Sequence, residues 1–130
     1  MKILGLDYGT KRVGIAFCDT DVPVAVPRDV LVNDATLMKQ LMAFCRAEDV
    51  KCIVVGLPVT LRGEEGRMAE VARAFGARIM AATGLPVEFA DERFTTKDLP
   101  REGVRSVDAA AAARILQMWL DRQGKESTIE

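Results

Sequence analysis

The alternation of apolar and polar positions divides the chain into a short series of elements. Lys2 to Leu6 is a mostly apolar run that stops at Asp7 and reads as a strand. Tyr8-Gly9-Thr10-Lys11 reads as a turn, and Arg12 to Cys18 as a second strand folded back on the first. After a turn at Asp19-Thr20-Asp21, Val22 to Val32 carries Pro23 and Pro27. Proline cannot donate to a ladder, so this third strand belongs at a sheet edge. Leu37, Leu41, Phe44 and Cys45 recur at helical spacing within a helix expected over Asp34 to Asp49, capped by Asn33 or Asp34. Ile53-Val54-Val55-Gly56-Leu57 is apolar without alternation, as expected for a parallel strand buried on both faces. A loop from Pro58 to Gly63 leads to a long helix over Glu64 to Thr83, with Met68, Val71, Ala72, Phe75, Ile79 and Ala82 on its apolar stripe and Gly84 as its stop. Val87 to Ala90 is a further strand, ending at Asp91-Glu92. Arg93 to Arg105 is polar and interrupted by Pro100 and Gly103, and the last helix spans Val107 to Arg122.

The resulting order is β-β-β-α-β-α-β-α. Three antiparallel meander strands followed by two crossover strands make an α/β fold, a five-stranded mixed sheet flanked by helices. Residues 1–124 form a single domain on this reading, and 125–130 a polar, frayed C-terminal tail.

Composition narrows the chemistry. The chain has 130 residues, 49% hydrophobic and 28% charged, with a net charge of −1, so no basic coat points to nucleic acid. No apolar run reaches the ~18 residues of a membrane span, and Asp7 interrupts any export signal. Cys18, Cys45 and Cys52 lack metal-ligand spacing and read as buried reduced thiols. There is no histidine, which removes His-based triads and His-ligated zinc. Acid-base or metal chemistry must rest on carboxylates.

Three acidic positions stand where elements end. Asp7 closes the first strand, Asp91-Glu92 the last, and Asp108 opens the final helix within Val107-Asp108-Ala109-Ala110-Ala111-Ala112-Ala113. The alanines allow that helix to lie close to the sheet and to carry Asp108 toward the strand ends. Each acid also has an ordinary reading: a turn residue at Asp7, a solvated cluster at Asp91-Glu92-Arg93, a dipole-favoured acid at Asp108. Together they suggest a carboxylate cluster, which repels itself unless a cation neutralises it. Oxygen ligands of this kind suit Mg²⁺ or Mn²⁺, and a pair of such ions about 3.5–4 Å apart hydrolyses phosphodiesters.

Four segments carry a family resemblance. Asp7-Tyr8-Gly9-Thr10-Lys11-Arg12-Val13-Gly14-Ile15-Ala16 comes first. Val55-Gly56-Leu57-Pro58 follows, with Leu61-Arg62-Gly63 and Gly66. Asp91-Glu92-Arg93-Phe94-Thr95-Thr96 is the third, and Asp108-Ala109-Ala110-Ala111-Ala112-Ala113-Arg114-Ile115-Leu116-Gln117 the fourth. In order and spacing they resemble the motifs of the YqgF/RuvX family, over nearly the whole chain. The resemblance implies an RNase H-like fold, a cytoplasmic location and a metal-dependent nuclease using Mg²⁺ or Mn²⁺. Its expected role is 5′-end maturation of pre-16S rRNA, with Holliday junction resolution in DNA recombination or repair as the alternative. It implies Asp7, Glu92 and Asp108 as catalytic acids, with Asp91 beside them as a further candidate metal ligand, and Lys11 and Arg12 near substrate phosphates. The family's longer, lysine-rich stretch before Asp108 is here only Lys97 to Val107.

Tyr8, Lys11, Arg12, Arg62, Arg93 and Lys97 are the candidate substrate contacts. Tyr8 could stack on a base or pack beneath its turn. Trp119 is expected in the core or on a dimer face. The partner implied is nucleic acid, pre-rRNA or branched DNA, and no membrane. A homodimer is what two-strand cutting by a resolvase would require. Two other classes compete: a catalytically silent nucleic-acid-binding protein, and one lobe of a sugar-kinase-like phosphotransferase, which would need a second lobe to enclose ATP.

Overall fold

The computed structural model describes residues 1–60, 62–91 and 104–129, with side chains for all of these except 104–107 and 125–129. The expected element order is present: β1 (Lys2–Tyr8), β2 (Arg12–Asp19), β3 (Val22–Val32), α1 (Leu37–Ala47), β4 (Val50–Leu57), α2 (Arg67–Thr83), β5 (Val87–Asp91) and α3 (Val104–Ile129). The sheet order is β3-β2-β1-β4-β5. β1, β2 and β3 form the antiparallel meander, and β4 lies parallel to both β1 and β5.

Alternation along the strands feeds two cores. Leu4, Leu6, Val13, Ile15, Ile53 and Val55 pack with α1 and α2 on one face. Ile3, Ala16, Cys18, Cys52 and Val54 pack with α3 on the other, against Ala112, Ile115, Leu116 and Leu120. β4 contributes to both, which is why its sequence shows no alternation. Cys18, Cys45 and Cys52 are free and buried, as expected, and burial raises each thiol's pKa.

β3 is an edge strand, as its prolines require, and its register with β2 shifts between Ile15 and Ala16. Beside the shift, the Arg28 guanidinium lies over the Phe17 and Phe44 rings and pairs with Glu48.

Several boundaries differ from those expected. α1 starts at Leu37 because the Asp34 carboxylate accepts from the Thr36 N–H and hydroxyl, closing a turn ahead of the helix. Asp34 therefore organises the approach instead of capping the first turn. α2 starts at Arg67, because Val59 bridges to Glu65 and Thr60 N–H donates to the Glu64 carbonyl across a tight turn. Its inward face is Ala69, Ala72, Phe75, Gly76 and Ile79, so Met68 is exposed rather than part of the stripe. The stop at Gly84 is left-handed, with φ 72°, and its N–H donates to Met80. α3 extends beyond the expected Val107–Arg122 at both ends, and the stretch after Gly124, expected to be frayed, continues as helix to Ile129.

Candidate active site

β1, β4 and β5 run parallel, so their carboxyl ends share one edge of the sheet, and β2 begins at that edge. Ligand sites in α/β sheets favour this location. Asp7 lies next to the end of β1, opposite Gly14 of β2. Leu6 and Tyr8 belong to the α1/α2 core, so alternation turns Asp7 to the α3 face.

Two glycines determine how closely α3 approaches there. A Cβ on Gly14 would lie 2.0 Å from the Asp108 carbonyl oxygen, and one on Gly5 would lie 2.7 Å from Leu116 Cβ. Ala112 and Ala113 pack in the same core, and Ala109 and Ala111 are buried as well. Small residues on both partners thus let the helix backbone rest on the strands. The alanine run is visible in the sequence as a close-packing signal. Its counterpart, a glycine inside each of two strands, is visible too, but its meaning appears only with the register.

The contact brings Asp108 to Asp7. Burial pushes the Asp7 carboxyl up to about 6, and the Asp108 charge adds to the rise. Arg12, which faces α3 from the start of β2, donates through Nε to Asp108 Oδ2 at 2.8 Å. Two clustered carboxylates with one ionisation suppressed form a cation-seeking arrangement, and their hard oxygen donors fit Mg²⁺ or Mn²⁺. No trio of acid, cysteine or histidine side chains fit to hold a metal occurs among the described residues. The third expected acid, Glu92, lies outside them.

Asp91 ends β5 at the same sheet edge, in register with Leu57. Strand alternation assigns it the face of Phe89 and Leu57, which pack in the α1/α2 core, across the sheet from Asp7. Tyr8 is on that face as well, its ring centroid 4.3 Å from that of Phe75. Of its two expected roles, packing is therefore the one the structure displays. Trp119 is partly buried against the α3-side core.

Lys11 is exposed in the β1–β2 turn, where its carbonyl accepts from Asn33 N–H and the Asn33 amide donates to the Gly9 carbonyl. Arg62 is exposed in the turn after β4. In that turn Gly63 takes φ 84°, and beyond it Arg73 makes two 2.7 Å hydrogen bonds to Glu65 while lying over the Phe89 ring. Arg93 and Lys97 lie outside the described residues. Sequence reasoning missed the Arg12–Asp108 pair, for nothing local to either residue signals a contact across 96 positions.

Comparison with known proteins adds to this geometry. A family model described as "RuvX: Holliday junction resolvase" matches residues 1–122. A protein of Anaeromyxobacter sp. (strain Fw109-5) is 41% identical over 134 residues, covering 93% of this chain and 97% of that protein. One from Moorella thermoacetica is 40% identical over 140 residues, covering 96% and 98%. Both bear the name "Putative pre-16S rRNA nuclease". Among solved structures, Thermus thermophilus RuvC in complex with a Holliday junction substrate superposes with a TM-score of 0.60 at 14% identity, covering 96% of each chain. That likeness establishes the fold as RNase H-like, in agreement with the motifs.

Proposed function

The chain belongs to the RuvX family, and from that premise we propose that it is a divalent-metal-dependent nuclease that hydrolyses phosphodiester bonds of pre-16S rRNA. The observation that carries the reading is the convergence of Asp7 and Asp108, 101 positions apart in the sequence, at the carboxyl edge of the sheet. The relatives' shared name favours RNA. Resolution of branched DNA is the second reading, favoured by the description of the family model.

Asp7 and Asp108 would hold the ion, with Glu92 as the third ligand. Glu92 is preferred to Asp91 because alternation turns Asp91 away from the α3 face, where Asp7 lies. When bound, a divalent ion supplies Lewis-acid stabilisation of the phosphoryl oxygens and a more acidic water. The chain's own residues orient the reaction. Asp7 sits in a strand and Asp108 on a helix braced by Gly14, so both carboxylates stand on rigid elements. Lys11 and Arg62, exposed in turns at this edge, would engage backbone phosphates and set the path of the nucleic acid.

The test uses labelled pre-16S leader RNA, unrelated single-stranded RNA and a four-way DNA junction, each with Mg²⁺, Mn²⁺ or EDTA. The expected outcome is metal-dependent cutting of the leader RNA, lost by at least about a hundredfold in Asp7→Asn. Preferred cutting of the junction would transfer the assignment to DNA. Absence of cutting on every substrate, with binding retained, would leave a binding protein.

A further inference from the structure

The Arg12–Asp108 pair is not what a permanent metal site needs. Arg12 holds the same carboxylate that the proposed ion requires, so two cations would share Asp108. A divalent charge and a guanidinium within a few ångströms of each other repel, by an amount that depends on how much water screens them. The pair is only half out of solvent: the Arg12 side chain is 41% exposed and that of Asp108 25%. Among the described residues the guanidinium engages through Nε, to Asp108, and no hydrogen bond is made by its Nη groups. Arg12 also begins β2 directly after the exposed Lys11, at the edge where nucleic acid would lie. It can therefore exchange one anionic partner for another with little rearrangement of the strand. A phosphate diester offers the same planar recognition as a carboxylate, and arginine suits both.

Resting on the metal-nuclease reading above, we infer that Arg12 is an internal counter-ion of the site. It neutralises Asp108 until a nucleic-acid phosphate draws it away, so that ion and phosphate backbone bind cooperatively through this one side chain. Linkage makes the coupling reciprocal: nucleic acid raises affinity for the ion by the same factor as the ion raises affinity for nucleic acid. The site then holds a divalent ion firmly only when substrate is in place.

The experiment measures Mn²⁺ affinity of the full chain from the electron paramagnetic resonance signal of the free ion, without nucleic acid and with a short single-stranded phosphorothioate RNA. Wild type is compared with Arg12→Gln and with Arg12→Met, which retains most of the aliphatic stem. Both variants are expected to bind Mn²⁺ about tenfold more tightly than wild type in the absence of RNA, the scale of one screened charge acting on a divalent ion. RNA should tighten Mn²⁺ binding in wild type and add little in either variant. Unchanged or weaker Mn²⁺ binding in both variants would overturn the inference, as would an equal effect of RNA on all three proteins. Asp7→Asn separates the two readings. If it loses Mn²⁺ while the Arg12 variants match wild type, the counter-ion role falls and the metal site stands; if it binds Mn²⁺ normally, both fall.

Discussion

Burial, with the Asp108 charge beside it, holds the Asp7 carboxylate at a disadvantage in the folded chain. Its carboxyl titrates near 6 in the folded chain against an ordinary value of 3.8. The folded state therefore binds the proton more tightly than the unfolded state. Whatever stability the protonated form provides is complete below about pH 4 and is lost as pH rises through about 6. At about 1.4 kcal/mol per pKa unit, keeping Asp7 ionised in the metal-free protein costs roughly 2–3 kcal/mol at neutral pH. Asp7→Asn removes that charge. It should raise the unfolding free energy in urea with EDTA by about 1–3 kcal/mol at pH 7.5, and the gain should vanish near pH 4. A variant no more stable than wild type at pH 7.5 would mean that Asp7 carries no such strain. The acids at element ends were legible in the sequence because carboxylates at strand termini break the apolar pattern. That Asp91 shares a face with Leu57 was not, because the face of a strand's last residue depends on register with a neighbour distant in the chain.

At the scale of elements, the site depends on how closely α3 lies on β1 and β2. The strands, their order and the crossover helices could be read directly from periodicity. The missing information was where helices begin, since turns such as the one Asp34 closes ahead of α1 are set by local hydrogen bonds that compete with the helix. Gly14 and Gly5 separate two consequences of helix–sheet contact. Gly14→Ala places a methyl against the Asp108 carbonyl, which is backbone and must move. Overpacking of this kind typically costs about 1–3 kcal/mol, and a misplacement of ~1 Å can cost about a hundredfold in rate. Gly14→Ala should therefore stay folded at moderate temperature while losing nuclease activity on that scale. Gly5→Ala meets the Leu116 side chain first and the Ala112 carbonyl less tightly, at 3.2 Å, both farther along the helix from Asp108; it should lower thermal stability while leaving activity per folded molecule within a fewfold of wild type. Turnover of both variants, corrected for folded fraction by circular dichroism, makes the comparison; equal activity losses would refute the distinction.

Across the whole molecule, a mixed sheet with α3 on one face and α1 and α2 on the other leaves one long edge at β3. Val22, Val24 and Val26 are more than half exposed along it, a pattern that invites pairing with another chain. Two features protect the edge. Pro23 and Pro27 remove donors, as their positions in the sequence already implied. The other could not be foreseen from sequence: Gln117 reaches from α3 to accept from Ala25 N–H at 2.9 Å and donates to the Pro23 carbonyl at 3.3 Å, while Asp121 accepts from its amide at 3.0 Å. One side-chain amide thus occupies backbone positions that an added strand would take. Gln117→Ala should reopen them. Loss of the two hydrogen bonds to β3, with the exposed one to Asp121, predicts destabilisation of about 1–3 kcal/mol, since each of the two contributes about 0.5–1.5 kcal/mol net. The larger effect should be on assembly: in light scattering, Gln117→Ala should associate at lower protein concentration than wild type. Adding Val24→Lys to the exposed stripe should reverse that association without restoring the lost stability, because charge on an edge opposes pairing and does nothing for the missing bonds. If Gln117→Ala is destabilised but no more prone to associate, the amide serves only to join α3 to β3, and the prolines alone protect the edge.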